Sequence, residues 1–337
     1  MKFYGATSMQ QRSGWSAAAL SLLLLLVTGC SRTPAPVAAP SAAAPSAAAP
    51  SAVANTSATP ALPAAAATTR DGTPRIANSG SERVHIQYKL YGTGQPLVVL
   101  IHGWSCDSNY WAAQIKPLAA HYTVATLDLA GHGASGANRK DWSISAFGAD
   151  VAAVVDALPD AGKVILVGHS MGGPVAVEAA RLLGDRVIGV IGVDTYQSVG
   201  QKPPSAAETA RSLAPFEKDF IGSTRALIAT ALFRKDADPA FVRRIADDMS
   251  QSPPEIAIAA VRGMNAWDGA RAMRDLRQPI VAINSDLHGV TDEARIRKLV
   301  PNFRVITIAG TGHFLMMERP ELFNPELLKQ LASLSGR

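Results

Sequence analysis

Ser170 stands between glycines in the stretch GHSMGG, residues 168–173. The apolar run at 164–167 predicts a strand before this stretch, and apolar residues at helical spacing predict a helix after it. A sharp strand-to-helix turn strains the residue at its apex, and glycine neighbours leave room for the chain to fold back. Such a turn exposes the hydroxyl and directs the next backbone N–H toward a developing oxyanion. We therefore predict that Ser170 is a nucleophile.

A serine hydroxyl is a poor nucleophile at neutral pH and needs a neighbouring imidazole to accept its proton. Among the seven histidines, His313 follows an apolar run that ends in AGTG. This pattern predicts a tight turn at a strand end, from which the ring can reach back. We predict that His313 is the base. His102, His132 and His169 lie beside glycine turns, and for them a structural role is the default expectation.

The elements that position these residues alternate between strands and helices. Residues 84–92 alternate apolar and polar side chains, which predicts a strand with one face toward solvent. Six later runs are apolar almost throughout, as in parallel strands that helices cover on both faces. Predicted helices separate most of these runs, at about 109–120, 143–158, 171–183 and 292–300. This order predicts an α/β fold with a doubly wound, mostly parallel sheet, whose chemistry lies at the carboxyl ends of the strands.

Residues 196–277 interrupt this alternation. Their apolar spacing is typical of helices, and prolines separate the helical segments. An unstructured loop of this length would be unusual, so we predict a helical cap inserted before the penultimate strand and lying over the strand ends. With this cap, residues 76–337 form the predicted folded domain.

Four motifs, LIHGW, DLAGHG, VGHSMGG and AGTGHF, together resemble those of the α/β-hydrolase fold family, and the resemblance covers Val84 to the C-terminus. The resemblance implies Ser170 as nucleophile and His313 as base, with an acid between them in chain order. It also implies an oxyanion hole that consists of the backbone N–H groups of Trp104 and Met171.

The implied acid has two candidates. Family members often carry Gly-x-x-Asp after the strand that precedes the last helix, whereas AINSDLHG has no glycine ahead of Asp286. Asp286 still lies at a predicted strand end and at a suitable interval before His313, so we expect it to be the acid. Asp194 ends the previous strand in IGVDTY and is the alternative, since some members place the acid there. Either aspartate could instead cap a helix or a turn.

The predicted function is that of a carboxylesterase-like serine hydrolase, which cleaves a small, largely apolar ester or related acyl compound through an acyl-enzyme. A serine at this turn argues against the halide- and epoxide-opening branches of the fold, which use an aspartate there. A slow-turnover ligand sensor and an acyltransferase with the same triad are the alternatives. Four residues near the motifs could line an apolar acyl pocket or belong to the core: Trp104, Trp111, Phe314 and Met316.

Motifs and charge also indicate which classes of ligand the protein is not expected to bind. We expect no metal and no cofactor, because the sequence has neither zinc-ligand spacing nor a dinucleotide fingerprint. The net charge is +5, but the basic residues are spread out among acidic and apolar residues. This pattern is typical of solvated surfaces, so we expect no nucleic-acid partner. Cys106 is predicted to be a buried small apolar residue.

The N-terminal segment carries targeting signals. Lys2 and Arg12 precede an apolar run at 17–27, which has the length of a signal-peptide core, and the following VTGC resembles the lipobox of bacterial lipoproteins. We expect a signal peptide over 1–29, a lipid on Cys30 and a disordered Ala/Pro-rich tether over 30–75. Ser31 after this cysteine points, by resemblance, to the outer membrane facing the periplasm; a soluble secreted or periplasmic protein is the alternative.

Overall fold

The structure is a computed structural model that describes residues 70–337 of the 337-residue chain. The predicted signal peptide, Cys30 and nearly all of the predicted tether lie outside the described residues. Within 70–337, no helix has the length and hydrophobicity that crossing a bilayer would require.

Eight strands form a single sheet in the spatial order β1-β2-β4-β3-β5-β6-β7-β8. Both β1 and β2 run antiparallel to their neighbours, whereas β3 to β8 are parallel. The strands are β1 (Arg75–Ser79), β2 (Val84–Tyr91), β3 (Leu97–Ile101), β4 (Thr123–Leu127), β5 (Val164–His169), β6 (Val187–Val193), β7 (Ile280–Ser285) and β8 (Phe303–Ile308). The predicted α/β fold with a mostly parallel sheet is therefore confirmed.

Helices flank the sheet and follow most of its parallel strands. The α-helices are α1 (Ala112–Ala119), α2 (Ile144–Asp156), α3 (Gly172–Leu183), α4 (Ala206–Lys218), α5 (Phe220–Ala231), α6 (Pro239–Met249), α7 (Pro254–Ala266), α8 (Gly269–Arg274), α9 (Glu293–Arg297), α10 (Leu315–Glu318) and α11 (Pro320–Leu334). Two 3₁₀ turns cover Ser108–Trp111 and Gly184–Arg186. Helix α3, which follows the serine turn, is buried along most of its length and ends where Gly184 adopts a φ of 56°.

Burial explains where the hydrophobic pattern predicts strands well and where it does not. Every residue of β3 and β7 is buried, as expected of strands with helices on both faces. Strand β8 lies at the sheet edge, and only Phe303 among its residues is buried. The pattern does not predict β1, because only Ala77 and Ser79 of this strand are buried.

The helical cap predicted before the penultimate strand is present as α4 to α8, between β6 and β7. Hydrogen bonds join it to the loops at the carboxyl edge of the sheet. The Tyr110 hydroxyl donates to Asp248 Oδ2 at 2.6 Å, and the Trp104 indole Nε1 donates to the Ala257 carbonyl at 2.8 Å. The cap therefore covers the strand ends at which the predicted site residues lie.

Candidate active site

The turn that carries Ser170 connects β5 directly to α3. Ser170 has a φ of 52°, in the left-handed region, and its N–H donates to the Val193 carbonyl at 2.9 Å. A Cβ on Gly168 would lie 2.0 Å from the Gly172 oxygen, and a Cβ on Gly172 would lie 2.5 Å from the Ile101 oxygen. Both glycines are required because backbone occupies the space that a side chain would need. The strained serine is thus fixed between the sheet and the helix.

His313 follows β8 in a loop that several hydrogen bonds hold. Its N–H donates to the Leu232 carbonyl of the cap at 2.9 Å. The Glu318 carboxylate accepts from the N–H groups of Gly312, at 2.9 Å, and Phe314, at 3.1 Å. Burial raises the pKa of Glu318, although these hydrogen bonds oppose the rise. The loop therefore presents the His313 ring in a defined position.

Asp194, directly after β6, is the carboxylate that contacts this ring. His313 Nδ1 donates to Asp194 Oδ2 at 2.6 Å, and Asp194 Oδ1 accepts from the Ser285 N–H at 2.8 Å and the Ser285 hydroxyl at 2.9 Å. Burial alone would raise the pKa of Asp194, but the hydrogen bonds from His313 and Ser285 lower it below its usual value. The carboxylate is ionised and fixes His313 in the tautomer whose Nε2 is free to accept a proton.

The expected pairing of Asp286 with His313 is not what the structure has. Asp286 Oδ1 accepts from the Gly310 N–H at 2.9 Å and from Arg234 Nη1 at 3.3 Å. Its side chain is 29% exposed, whereas that of Asp194 is 2% exposed. Asp286 lies beyond the end of β7 and stabilises the turn after β8 instead. The missing glycine ahead of Asp286 was a signal in the sequence that favoured the alternative, Asp194.

Two polar residues at the end of β7 support Asp194 and were not singled out from the sequence. Ser285 supplies the two hydrogen bonds described above. Asn284 is fully buried, accepts from the Thr195 N–H at 3.1 Å and donates to the Thr195 carbonyl at 3.0 Å. The sequence did contain a signal for these two residues: both are polar and end an otherwise apolar strand. Buried polar groups need hydrogen-bond partners, so such residues are expected to bind a neighbouring group.

Of the two residues whose backbone N–H groups were expected to form the oxyanion hole, Met171 follows Ser170 directly and Trp104 lies in the loop after β3. Met171 immediately precedes α3, where helix N–H groups point outward. A Cβ on Gly103, next to Trp104, would lie 3.2 Å from Ser170 Cβ, so the loop after β3 packs against the serine. Among residues 70–337, neither the Met171 nor the Trp104 backbone N–H donates a hydrogen bond. An oxyanion hole formed by these two N–H groups therefore stays a prediction.

The other histidines near Ser170 have structural partners. His169 Nε2 donates to the His313 carbonyl at 3.0 Å, and burial together with the nearby His313 lowers the pKa of His169 to about 3. His102 Nδ1 donates to the Gly103 carbonyl at 2.8 Å, and its Nε2 accepts from the Leu129 N–H at 2.9 Å. Both rings are neutral at physiological pH and hold the loops around the site.

Two cavities meet at Ser170. One has a volume of about 260 Å³ and lies between residues 194–204 and the region that joins α7 to α8. The second has a volume of about 20 Å³ and lies beneath the cap. Trp104 and Phe314 line the smaller cavity, whereas Trp111 and Met316 are fully buried in the core and line neither. Cys106 is buried, as predicted, and also lines the smaller cavity.

A metal site was not expected from the sequence. Across the described part of the chain, no group of three or more His, Cys, Asp or Glu residues is placed to hold a metal ion.

A serine turn, a histidine paired with an aspartate and a capped parallel sheet place the chain in a class of α/β proteins whose candidate site lies at the strand ends. The chain belongs to the Alpha/beta hydrolase family, whose sequence pattern matches residues 98–326.

Similar proteins include enzymes of several kinds. The acetyltransferase component of an acetoin cleaving system from Pseudomonas putida is 28% identical over 72% of this chain, and the match spans 65% of that relative. A 2-(acetamidomethylene)succinate hydrolase from Mesorhizobium japonicum is 25% identical over 71% of this chain and 89% of its own length.

Among solved structures, a thermophilic esterase from Thermogutta terrifontis superposes with a TM-score of 0.69 at 24% identity, over 78% of this chain and 99% of its own. An N-acyl homoserine lactone degrading enzyme has a TM-score of 0.64 at 27% identity, over 75% and 99%. The fold is thus shared with esterases and other hydrolases.

Proposed function

We propose that this protein is a serine hydrolase that cleaves a small, largely apolar ester or related acyl compound through an acyl-enzyme. The observation that carries the proposal is the 2.6 Å hydrogen bond from His313 to the buried Asp194, on a ring that lines the same cavities as Ser170. This arrangement supplies a nucleophile, a base and an orienting acid.

In the proposed mechanism, His313 Nε2 accepts the hydroxyl proton as Ser170 Oγ attacks the scissile carbonyl carbon. The ionised Asp194 stabilises the resulting imidazolium without accepting its proton. The N–H groups of Trp104 and Met171 donate to the oxyanion of the tetrahedral intermediate. As the bond to the leaving oxygen breaks, His313 transfers the proton to that oxygen. Water then repeats the sequence on the acyl-enzyme and regenerates the Ser170 hydroxyl.

The chemistry of the larger cavity supports an uncharged substrate. Its lining includes apolar side chains such as Val199 and Met264, and its charged residues beyond the triad are Lys202 and Asp268, of opposite sign. If the substrate carried two negative charges, the cavity lining would be expected to hold more positively than negatively charged side chains. Esterases and a lactone-degrading enzyme among the similar structures are consistent with an ester or lactone carbonyl as the reacting group.

The test is turnover of p-nitrophenyl esters together with covalent labelling by a fluorophosphonate. We expect saturable release of nitrophenol by the wild-type protein, and loss of both turnover and labelling in Ser170→Ala. Ser81→Ala, at an exposed serine in the turn after β1, is the matched control and keeps both. Labelling at another serine with activity retained in Ser170→Ala would refute the proposal. Trace release, with thermal stabilisation by the ester, would favour the ligand sensor instead.

We also propose, from the sequence alone, that Cys30 is lipidated and that the protein is attached to the outer membrane. A single acyl chain anchors a protein only marginally, so the several chains of a bacterial lipoprotein would be needed. We expect wild-type protein to incorporate labelled palmitate and to sediment with membranes, and Cys30→Ala to incorporate none. A soluble periplasmic wild-type protein without palmitate would replace this proposal with simple secretion.

A further inference from the structure

The segment that begins with the acid also forms a wall of the larger cavity. Residues 194–204 follow β6 and line one side of this cavity, and we call them the wall segment. Asn284 accepts from the Thr195 N–H at 3.1 Å and donates to the Thr195 carbonyl at 3.0 Å. The Tyr196 hydroxyl donates to the Gly173 carbonyl of α3 at 2.8 Å. These contacts fix the first residues of the wall segment against the sheet and the serine helix.

Gln197 reaches from the wall segment back to the acid. Its Nε2 donates to Asp194 Oδ1 at 3.3 Å. The same oxygen accepts both hydrogen bonds from Ser285 of β7, while Oδ2 accepts from His313. A carboxylate can rotate about its Cβ–Cγ bond, and donors from two separate elements restrict this rotation. Gln197 is therefore a second side chain, besides Ser285, that orients the acid toward the histidine.

Arg295 of α9 holds the part of the wall segment that carries Gln197. Its guanidinium donates to the Gln197 carbonyl through Nη2 at 2.6 Å and to the Val199 carbonyl through Nη1. A guanidinium presents its N–H groups in a rigid planar fork, so one side chain keeps the two carbonyls at a fixed spacing. The charged group nearest to this guanidinium, Asp292, lies 4.0 Å from Nε. The two carbonyls are therefore closer partners of Arg295 than its ion pair.

We propose that Arg295 and Gln197 are positioning residues for the acid: Arg295 fixes the wall segment, and Gln197 on that segment orients Asp194 toward His313. This inference rests on the proposed function and adds two residues to its site. Arg295 lines neither cavity, so it influences the reaction only through the segment that it holds. The orientation of the acid, which affects kcat, and the shape of the cavity wall, which affects KM, then both depend on one guanidinium.

Single substitutions separate these two effects. Gln197→Leu removes the donor to Asp194 and is expected to lower kcat by about three- to tenfold, the range of one hydrogen bond. Arg295→Met frees the wall segment and is expected to raise KM by about threefold or more. Its loss of kcat should not exceed that of Gln197→Leu, because its effect on the acid passes through Gln197. Arg295→Lys, whose ammonium can reach one of the two carbonyls, should recover part of both losses. Arg297→Met, at a 55% exposed side chain of the same helix, is the matched control and should change neither constant.

The double variant tests the connection itself, with kcat and KM for p-nitrophenyl acetate as the measurement. If Arg295 acts on the acid through Gln197, Arg295→Met should change kcat by less than about twofold in the Gln197→Leu background and should still raise KM. Losses of kcat that multiply in the double variant, or a wild-type kcat in Gln197→Leu, would overturn the inference but leave ester hydrolysis intact. Absence of hydrolysis by the wild-type protein, with no labelling of Ser170, would overturn both the inference and the proposed function.

Discussion

The ends of β6 and β7 are adjacent in the sheet, and each is followed by an aspartate, yet the two carboxylates have different environments. Asp194 is buried and accepts hydrogen bonds from His313 and Ser285. Asp286 is partly exposed and accepts from Gly310 and an arginine of the cap. The difference shows that a place at a strand end does not by itself select the acid.

Backbone conformation and neighbouring groups distinguish the two positions. Asp194 has a φ of 47°, and its N–H donates to the Ile283 carbonyl of β7, so its side chain lies across the end of the neighbouring strand. There the Ser285 N–H and hydroxyl stabilise the carboxylate. The strained backbone conformation at Asp194 is offset by these contacts, as is typical of residues at functional sites.

The largest expected effect comes from removing the charge at Asp194. Asp194→Asn is expected to lower kcat by on the order of 10⁴, the scale known when the orienting aspartate of a triad becomes an amide. Its matched control, Asp286→Asn, is expected to change kcat by less than about tenfold, because it acts only on a turn. Steady-state hydrolysis of p-nitrophenyl acetate measures both. Comparable losses in the two variants would remove the distinction between the strand ends.

Stability should follow the same distinction as pH changes. The hydrogen bonds from His313 and Ser285 hold the folded-state pKa of Asp194 below its usual value, so its carboxylate contributes stability that is present above the unfolded-state pKa and is lost as the pH falls through the folded-state pKa. Asp194→Asn is therefore expected to lower the free energy of unfolding by about 1.5–3 kcal/mol at pH 7, the scale of a charge-assisted hydrogen bond. Urea unfolding at several pH values between 7 and 3 measures this difference, which should become smaller as the pH falls below about 4. A difference that does not become smaller below this pH would contradict the assignment of an ionised Asp194.

A smaller effect is expected at Ser285. Ser285→Ala removes the hydroxyl that donates to Asp194 Oδ1 at 2.9 Å but keeps the backbone N–H that donates to the same oxygen. We expect a loss of about 1–2 kcal/mol in the free energy of unfolding and a decrease in kcat well below that of Asp194→Asn. Ser285→Thr, which keeps a hydroxyl, should recover part of the kcat. Equal kcat values for Ser285→Ala and the wild-type protein would show that the hydroxyl does not position Asp194.

The smallest effect is expected where Asp286 meets the cap. The Arg234 and Asp286 side chains are 39% and 29% exposed, with 3.3 Å between Arg234 Nη1 and Asp286 Oδ1. Exposed ion pairs contribute about 0.2–1 kcal/mol, so a double-mutant cycle of Arg234→Gln and Asp286→Asn should give a coupling energy in that range. A coupling of several kcal/mol, or a large loss of activity in Arg234→Gln, would give this second strand end a greater role than the structure indicates.

The sequence predicts seven of the eight strands, the cap and the serine turn because each depends on local patterns. Apolar runs identify buried parallel strands. At positions 168 and 172 only glycine fits, because neighbouring backbone atoms occupy the space that a Cβ would need. For the choice of acid the missing glycine ahead of Asp286 was the one local signal, since the choice depends on a side chain of β7 that contacts a carboxylate after β6. Ser285 lies 91 positions from Asp194 in sequence, and no local pattern reports that contact. The supporting role of Glu318 likewise depends on a loop conformation that spacing alone does not define.

The central claim is that Asp194 and His313 activate Ser170, and the rate of covalent labelling by a fluorophosphonate tests it most directly, because this reaction needs no turnover of substrate. Intact mass and peptide mapping should locate the label on Ser170 in the wild-type protein. We predict that labelling slows by on the order of 10³-fold or more in Asp194→Asn, since the imidazole loses its orientation, and changes only a few-fold in Asp286→Asn. Slowing in Asp286→Asn that equals or exceeds that in Asp194→Asn, or a label on a residue other than Ser170, would contradict the account.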